Sequence, residues 1–176
     1  MTPPEASLAE RLQRVEDALA VRELVARYAL AVDDRDWATL RELFTADAVL
    51  AGAAEEVSGR DAVVDYLRRR MVLVGPTVHA PHAHVVDWGA PGEATGTVSA
   101  HAEQAVDGVA LVQAFRYSDV YRRGDDGRWR FRSRELRFLY AVPAADYPDV
   151  WRDRLPLRMP GLPPTPAQLG PWADPA

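Results

Sequence analysis

The chain reads as an α+β domain, a bent sheet whose concave face is covered by helices that come before it in sequence. Two observations carry this. Apolar residues recur at helical spacing through the first seventy or so positions, whereas from Thr77 to Tyr140 the period drops to two. The helices also stand together ahead of the strands instead of alternating with them, which argues against a parallel α/β sheet.

Ser7-Leu8-Ala9-Glu10 has the form of a capping box and opens the first helix. Leu8, Leu12, Val15 and Leu19 form an apolar stripe, expected to be core. The stripe changes phase near Ala20 and resumes as Val21, Leu24, Val25, Tyr28 and Val32, which means a kinked helix or two in series. Asp33 and Asp34 lie where that helix ends, close to the unfavourable end of its dipole. One explanation is that an aspartate caps the next helix, Trp37 to Phe44, with Asp36 a further candidate. A short strand follows at Ala48–Ala51 and another near Glu56-Val57. Ser58-Gly59-Arg60-Asp61 opens a third helix with Ala62, Val63, Tyr66 and Leu67 inward. Thr77–Asp87, Ala94–Val106, Val109–Arg122 and Trp129–Tyr140 then alternate as strands, joined by Gly89-Ala90-Pro91-Gly92, Asp107-Gly108 and Gly124-Asp125-Asp126-Gly127, turns that imply an antiparallel meander.

The expected domain spans 1–142. Nine of the 14 prolines fall between Pro143 and Pro175, so 143–176 is a tail that is neither helix nor sheet throughout. Its Trp151, Leu155, Leu157, Met159 and Trp172 are too apolar for a disordered segment. It is expected to pack on the body, on a neighbouring subunit or across the cavity mouth.

Composition narrows the function. A net charge of −5 argues against nucleic acid as the main partner. The lack of a long apolar run or a basic-then-apolar leader points to a cytoplasmic protein with no membrane partner. With no cysteine, thiol catalysis and thiolate metal sites are out. All 21 basic residues are arginine, which removes Schiff-base chemistry.

The four histidines, His79, His82, His84 and His101, sit on two adjacent strands. One of them oriented by a carboxylate is a ready general base. His82, His84 and His101 are the alternative, a divalent metal site, but no third carboxylate accompanies them. No metal or cofactor is expected. On the third long strand Val109, Leu111, Gln113, Phe115, Tyr117, Asp119 and Tyr121 share what reads as the core face, with Gln113 and Tyr117 as polar pocket groups. On the last strand Arg134, Glu135 and Arg137 interrupt the apolar pattern, which resumes out of phase. A bulge there turns an arginine toward the cavity; otherwise these residues form a salt-bridged outer face, a reading that suits Arg134 better than Arg137.

Several pieces in order, Tyr28-x4-Asp33, Leu43-Phe44-Thr45-Ala46-Asp47-Ala48, Gly59-Arg60-Asp61-Ala62-Val63, His79, Tyr117-Ser118-Asp119-x-Tyr121 and Asp126-Gly127-x-Trp129, resemble the SnoaL-like branch of the nuclear transport factor 2 fold. That resemblance implies a cone-shaped α+β barrel with a bent mixed or antiparallel sheet, and a homodimer or homotrimer. The subgroup most resembled includes scytalone dehydratase, bile-acid dehydratases and hexachlorocyclohexane dehydrochlorinase. In these an aspartate at the helix end pairs with a histidine that removes a proton during elimination. By position the pair is Asp33 and His79, with Tyr28 matching the bile-acid tyrosine and His101 near the second histidine of scytalone dehydratase. Tyr66, Gln113, Tyr117 and Arg137 are the implied substrate contacts, Arg137 only if one gap is allowed. The expected activity is a cofactor-independent lyase, a dehydratase acting beside a carbonyl of a small apolar or polycyclic, polyketide- or steroid-like substrate. The same fold serves isomerases, polyketide cyclases and non-catalytic binding modules, which stand as alternatives.

Overall fold

The computed structural model describes residues 7–52, 55–152, 154–170 and 173. Nine regular elements follow one another: α1 (Leu8–Asp33), α2 (Trp37–Leu43), β1 (Phe44–Ala51), β2 (Glu56–Ser58), α3 (Arg60–Met71), β3 (Val74–Trp88), β4 (Glu93–Val106), β5 (Val109–Arg123) and β6 (Trp129–Pro143). The strands make one mixed sheet in the order β2-β1-β6-β5-β4-β3. From β3 to β6 it is the expected antiparallel meander, while β1 joins β6 in parallel. Asp107 and Gly108 both have positive φ (50° and 77°), as a two-residue hairpin requires.

α1 starts as expected: the Ser7 hydroxyl accepts from Glu10 N–H while the Glu10 carboxylate accepts from Ser7 N–H. The helix is single and continuous through 26 residues. Because it does not break where the apolar stripe changes phase, the two stripes face opposite ways, roughly 150° apart round the axis. Val21, Leu24, Val25, Tyr28 and Val32 are buried, but Leu8, Leu12, Val15 and Leu19 are 56–79% exposed, so the first stripe is not core. Toward the body this half of α1 turns polar groups instead: Asp17 accepts from the Trp129 indole at 2.8 Å and from the Gln13 amide at 3.1 Å.

The anticipated bulge in β6 is present, and there are two. Register slips between Tyr121↔Phe131 and Val120↔Ser133, and again between Phe115↔Phe138 and Ala114↔Tyr140. Each inserts one residue and reverses which parity faces inward. Trp129 and Phe131 point to the core, then Arg134, Leu136 and Phe138, then Ala141.

Beyond β6 the chain makes a 3-10 helix, Ala144–Arg152, whose Val150 packs on Ala114, Tyr140 and Val142 across the outer face. It then returns along the edge of β6 past the point where β1 stops. Ala141 N–H donates to Pro156 C=O, Arg158 N–H to Ala141 C=O and Gln168 N–H to Phe138 C=O at 2.7–2.9 Å. Leu157 reaches the main core. Trp172 lies outside the described residues. No described helix is long and apolar enough to cross a membrane.

Candidate active site

Asp33 is the last residue of α1 and faces β3. One carboxylate oxygen accepts from His79 Nδ1 at 2.6 Å and from the Thr77 hydroxyl at 2.5 Å; the other accepts from His79 N–H at 2.8 Å. Burial alone acts to raise the Asp33 carboxyl, but these hydrogen bonds together outweigh it and hold the group below its ordinary value. An ionised carboxylate on Nδ1 fixes the proton there and leaves Nε2 as the basic nitrogen. Both side chains are only about 15% exposed or less.

The neighbouring aspartates do other work. Asp34 caps the end of α1, and Asp36 caps α2 by accepting from Thr39 N–H at 3.0 Å. Between them Arg35, at φ 57°, donates to the carbonyls of Val32, Asp33, Val74 and Gly75. Its charge offsets the negative end of the helix, and its reach to β3 ties the two halves of the dyad together.

A second charged group lies in the same interior. Arg134 and Asp119 have fully buried side chains and pair through two parallel bonds, Nε–Oδ1 at 2.8 Å and Nη2–Oδ2 at 2.7 Å. The guanidinium carbon stands 3.9–4.2 Å from the ring centres of Tyr117, Phe131 and Tyr28. Burial disfavours this cation, but the charge and hydrogen bonds of Asp119 outweigh burial and leave its pKa above the ordinary value. Its remaining nitrogen, Nη1, has no hydrogen-bond partner among the described residues. Behind Asp119 the network continues: Tyr121 donates to Oδ2 at 2.8 Å, and His84 Nε2 lies 3.0 Å from the Tyr121 oxygen. Since Tyr121 spends its proton on Asp119, His84 must be the donor, which makes it the Nε2–H tautomer. Burial raises the pKa of Tyr28 and Tyr117, so both remain phenols.

Between the dyad and this arginine is a cavity lined by Tyr28, His79, Phe115, Tyr117 and Arg134, with Val25, Ala29, Pro81 and Ala100 closing it. Its volume is about 10 Å³, room for a single water. Phe115, its ring centre 6.2 Å from that of His79, forms one wall.

Of the expected site residues, Tyr28, Asp33, His79 and Tyr117 are brought together. Gln113 is buried on the inward face, in register with Ala102 and through it with His79, and its amide nitrogen lacks a partner among the described residues. Three expectations are corrected. His101 lies on the outer face beside Tyr140 and pairs with His82 at 2.7 Å, because the inward positions of β4 are the small residues Ala94, Val98, Ala100 and Ala102 packed beneath the helices. Arg137 is also outside, 51% exposed and bonded to Glu135, because the bulge sends Arg134 inward in its place. Tyr66 is half-buried beside Gly52 and does not line the cavity. The three histidines weighed as a metal site are not gathered either: His84 turns inward to Tyr121 while His82 and His101 face out.

Sequence reasoning missed Asp119, Tyr121 and His84 as a unit and misplaced Arg134. The signal was present: Asp119 is the one charged residue in the inward row Leu111 to Tyr121, and a buried carboxylate requires a compensating cation or hydrogen bonds.

Solved structures with this architecture include a hexachlorocyclohexane dehydrochlorinase, LinA type 3, from Novosphingobium barchaimii (TM-score 0.72, 19% identity, 77% of this chain and 94% of that one). A candidate scytalone dehydratase from Novosphingobium aromaticivorans is similar at TM-score 0.69 and 21% identity, over 74% of this chain and 89% of that one. A nuclear transport factor 2-like protein of cystatin-like fold, also from Novosphingobium aromaticivorans, is 27% identical, with a TM-score of 0.63 over 84% of this chain and 97% of that one. No curated protein matches the sequence significantly. The SnoaL-like domain profile matches residues 13–135, most of the chain, and with the six-stranded curved sheet behind its N-terminal helices the protein belongs to the SnoaL-like family.

Proposed function

We propose that the protein is a cofactor-independent lyase that uses His79 as general base. The observation that carries this reading is one cavity lined by both a carboxylate-oriented imidazole and an arginine whose Nη1 has no partner among the described residues. His79 Nε2 takes the proton from the carbon next to a substrate carbonyl. The electron pair left behind moves toward the carbonyl oxygen, and the developing negative charge meets Arg134 Nη1 and the Tyr28 phenol, donors already desolvated and fixed. Collapse of the enolate expels the β-hydroxyl, which leaves as water with the proton from His79. The dehydrochlorinase and candidate dehydratase among the structural neighbours support an elimination, as does the lack of any cysteine or lysine nucleophile.

The substrate expected is small and apolar or polycyclic, with a carbonyl beside the acidic carbon. Phe115 must rotate aside, or α1 with Val25 and Ala29 must shift, to admit it, since the closed cavity holds one water. A non-catalytic module has no need of an Asp33–His79 contact of 2.6 Å.

The test is a panel of β-hydroxy ketones with one to four fused rings, read by mass spectrometry for loss of water and by exchange of the α-proton with deuterated solvent. His79→Ala should lower turnover by about 10²–10⁴-fold. Near-full activity in that variant sinks the mechanism. A product of unchanged mass points to isomerisation on the same dyad instead.

A further inference from the structure

The outer face of the sheet holds a hollow far larger than the inner cavity, about 290 Å³ against about 10 Å³. The outward side chains of β4 and β5 make it. Ser99 and Ala114 are small and give a floor, while Arg116 and His101, their respective partners in register, stand at its sides. The 3-10 helix after β6 supplies the far wall. Trp151 lies edge-on to Tyr140, ring centres 5.7 Å apart at 78°, and stays 70% exposed. An indole left so open beside a buried phenol ring is a ready surface for a flat ring.

The polar groups around the hollow favour one sign of charge. Arg116 makes no ion pair with a described residue, whereas Arg137, opposite it on β6, is neutralised by Glu135. His101 spends Nδ1 on its 2.7 Å contact with His82 and keeps Nε2 for a ligand. No acidic side chain is among the described residues that line the hollow.

We propose that this hollow is a binding site for an aromatic carboxylate of one or two rings. The carboxylate accepts from the Arg116 guanidinium and from His101 Nε2, and the ring lies against Trp151 and Tyr140. Such an anion favours the tautomer in which His82 donates to His101 Nδ1 and His101 carries its proton on Nε2. The volume sets the size, because it falls at the lower end of the roughly 300–1,000 Å³ usual for ligand pockets. An inorganic anion leaves the aromatic wall unused, and a neutral arene leaves the arginine without its counter-charge. The site is on the opposite face of the sheet from His79, so it stands or falls independently of the lyase reaction.

Titration of the full chain with 2-naphthoate, followed by calorimetry and by the indole N–H resonances of nitrogen-15-labelled protein, tests this. Naphthoate should bind with a Kd between about 10 μM and 1 mM and should move the Trp151 indole resonance, which Trp151→Phe identifies by its loss. 2-Naphthylmethanol, the same ring without the charge, should bind at least about tenfold more weakly. Arg116→Gln should weaken naphthoate by about 10–30-fold and leave the alcohol within about twofold. Its melting temperature should match the wild type, since the side chain is exposed. No naphthoate binding at about 1 mM, equal affinity for the alcohol, an unmoved Trp151 resonance, or undiminished affinity in Arg116→Gln overturns the proposal.

Discussion

Asp119→Asn changes almost nothing in shape and leaves a cation in the core without its counter-charge. Both partners have fully buried side chains, so no water can take over the role of the carboxylate. Removing one member of such a pair costs about 3–5 kcal/mol, because the surviving charge keeps its desolvation penalty. Two features pull toward the lower end. Asparagine keeps one oxygen that can accept from Arg134 Nε, and three aromatic rings within 4.2 Å of the guanidinium carbon still attract the cation, at about 0.5–2 kcal/mol each. The expected loss is therefore about 3 kcal/mol. With a urea m-value of about 1–3 kcal/mol/M, the unfolding midpoint should fall by about 1–3 M with m unchanged. Replacing the pair together, Asp119→Leu with Arg134→Met, should recover most of that loss, because no charge is left to solvate. If Asp119→Asn moves the midpoint by less than about 0.3 M, the pair is not the electrostatic centre of the core and the role given to Arg134 fails with it.

Gly96→Ala is expected to be disruptive for a steric reason. A Cβ there would sit 2.9 Å from the Tyr121 ring and from Val85 C=O, and 3.1 Å from His84 Nε2. A loss of about 1–3 kcal/mol by thermal melting is expected, against the few tenths usual at an exposed strand position. Burial holds the His84 pKa below its ordinary 6.5, so below that pH the unfolded chain takes up a proton that the native state refuses. Its contribution is intact above about pH 6.5 and lost as the pH falls; a His84→Phe variant should show a flatter fall in stability between about pH 7 and 5, and an unchanged slope counts against it. Asp33→Asn should abolish α-proton exchange with a smaller loss of stability than Asp119→Asn, because its carboxylate lies at the end of α1 and keeps about 15% exposure, whereas Asp119 is fully buried. Retained exchange removes the orienting role.

The meander was plain in the sequence because period-two runs and Asp-Gly turns are local signals, and the strand ends moved by only a few residues. Asp33 and His79 were legible through the likeness to a family and through the oddity of an acidic pair at a helix end. What failed was phase. Arg134 and Arg137 differ by three residues, and a single inserted residue decides which faces in; periodicity cannot say where a bulge falls when Leu136 is the one apolar residue between Arg132 and Arg137. His101 failed for a related reason: both parities of β4 are small or polar, so neither marks the core until the helices are laid against it. The first stripe of α1 was misread because a phase change reads as a kink, and the chain instead kept the helix straight and left the stripe outside.

The parallel pairing of β1 with β6 has a bearing on the order in which the molecule can be assembled. Phe44 meets Phe131, and Leu50 meets Arg134, across more than eighty residues of intervening chain. β3 to β6 can zip by successive hairpins, each closing a short loop, whereas β1 must wait for β6 to be made and positioned. On a ribosome the N-terminal third therefore emerges first, while its strand β1 pairs late. Asp33 travels with that third and His79 with the hairpins, so the dyad closes only when the two parts meet. A chain halted before Trp129 carries all the dyad residues but lacks the strand that brings β1 to the sheet. The contact between Asp33 and His79 thus reports the docking of α1 on β3.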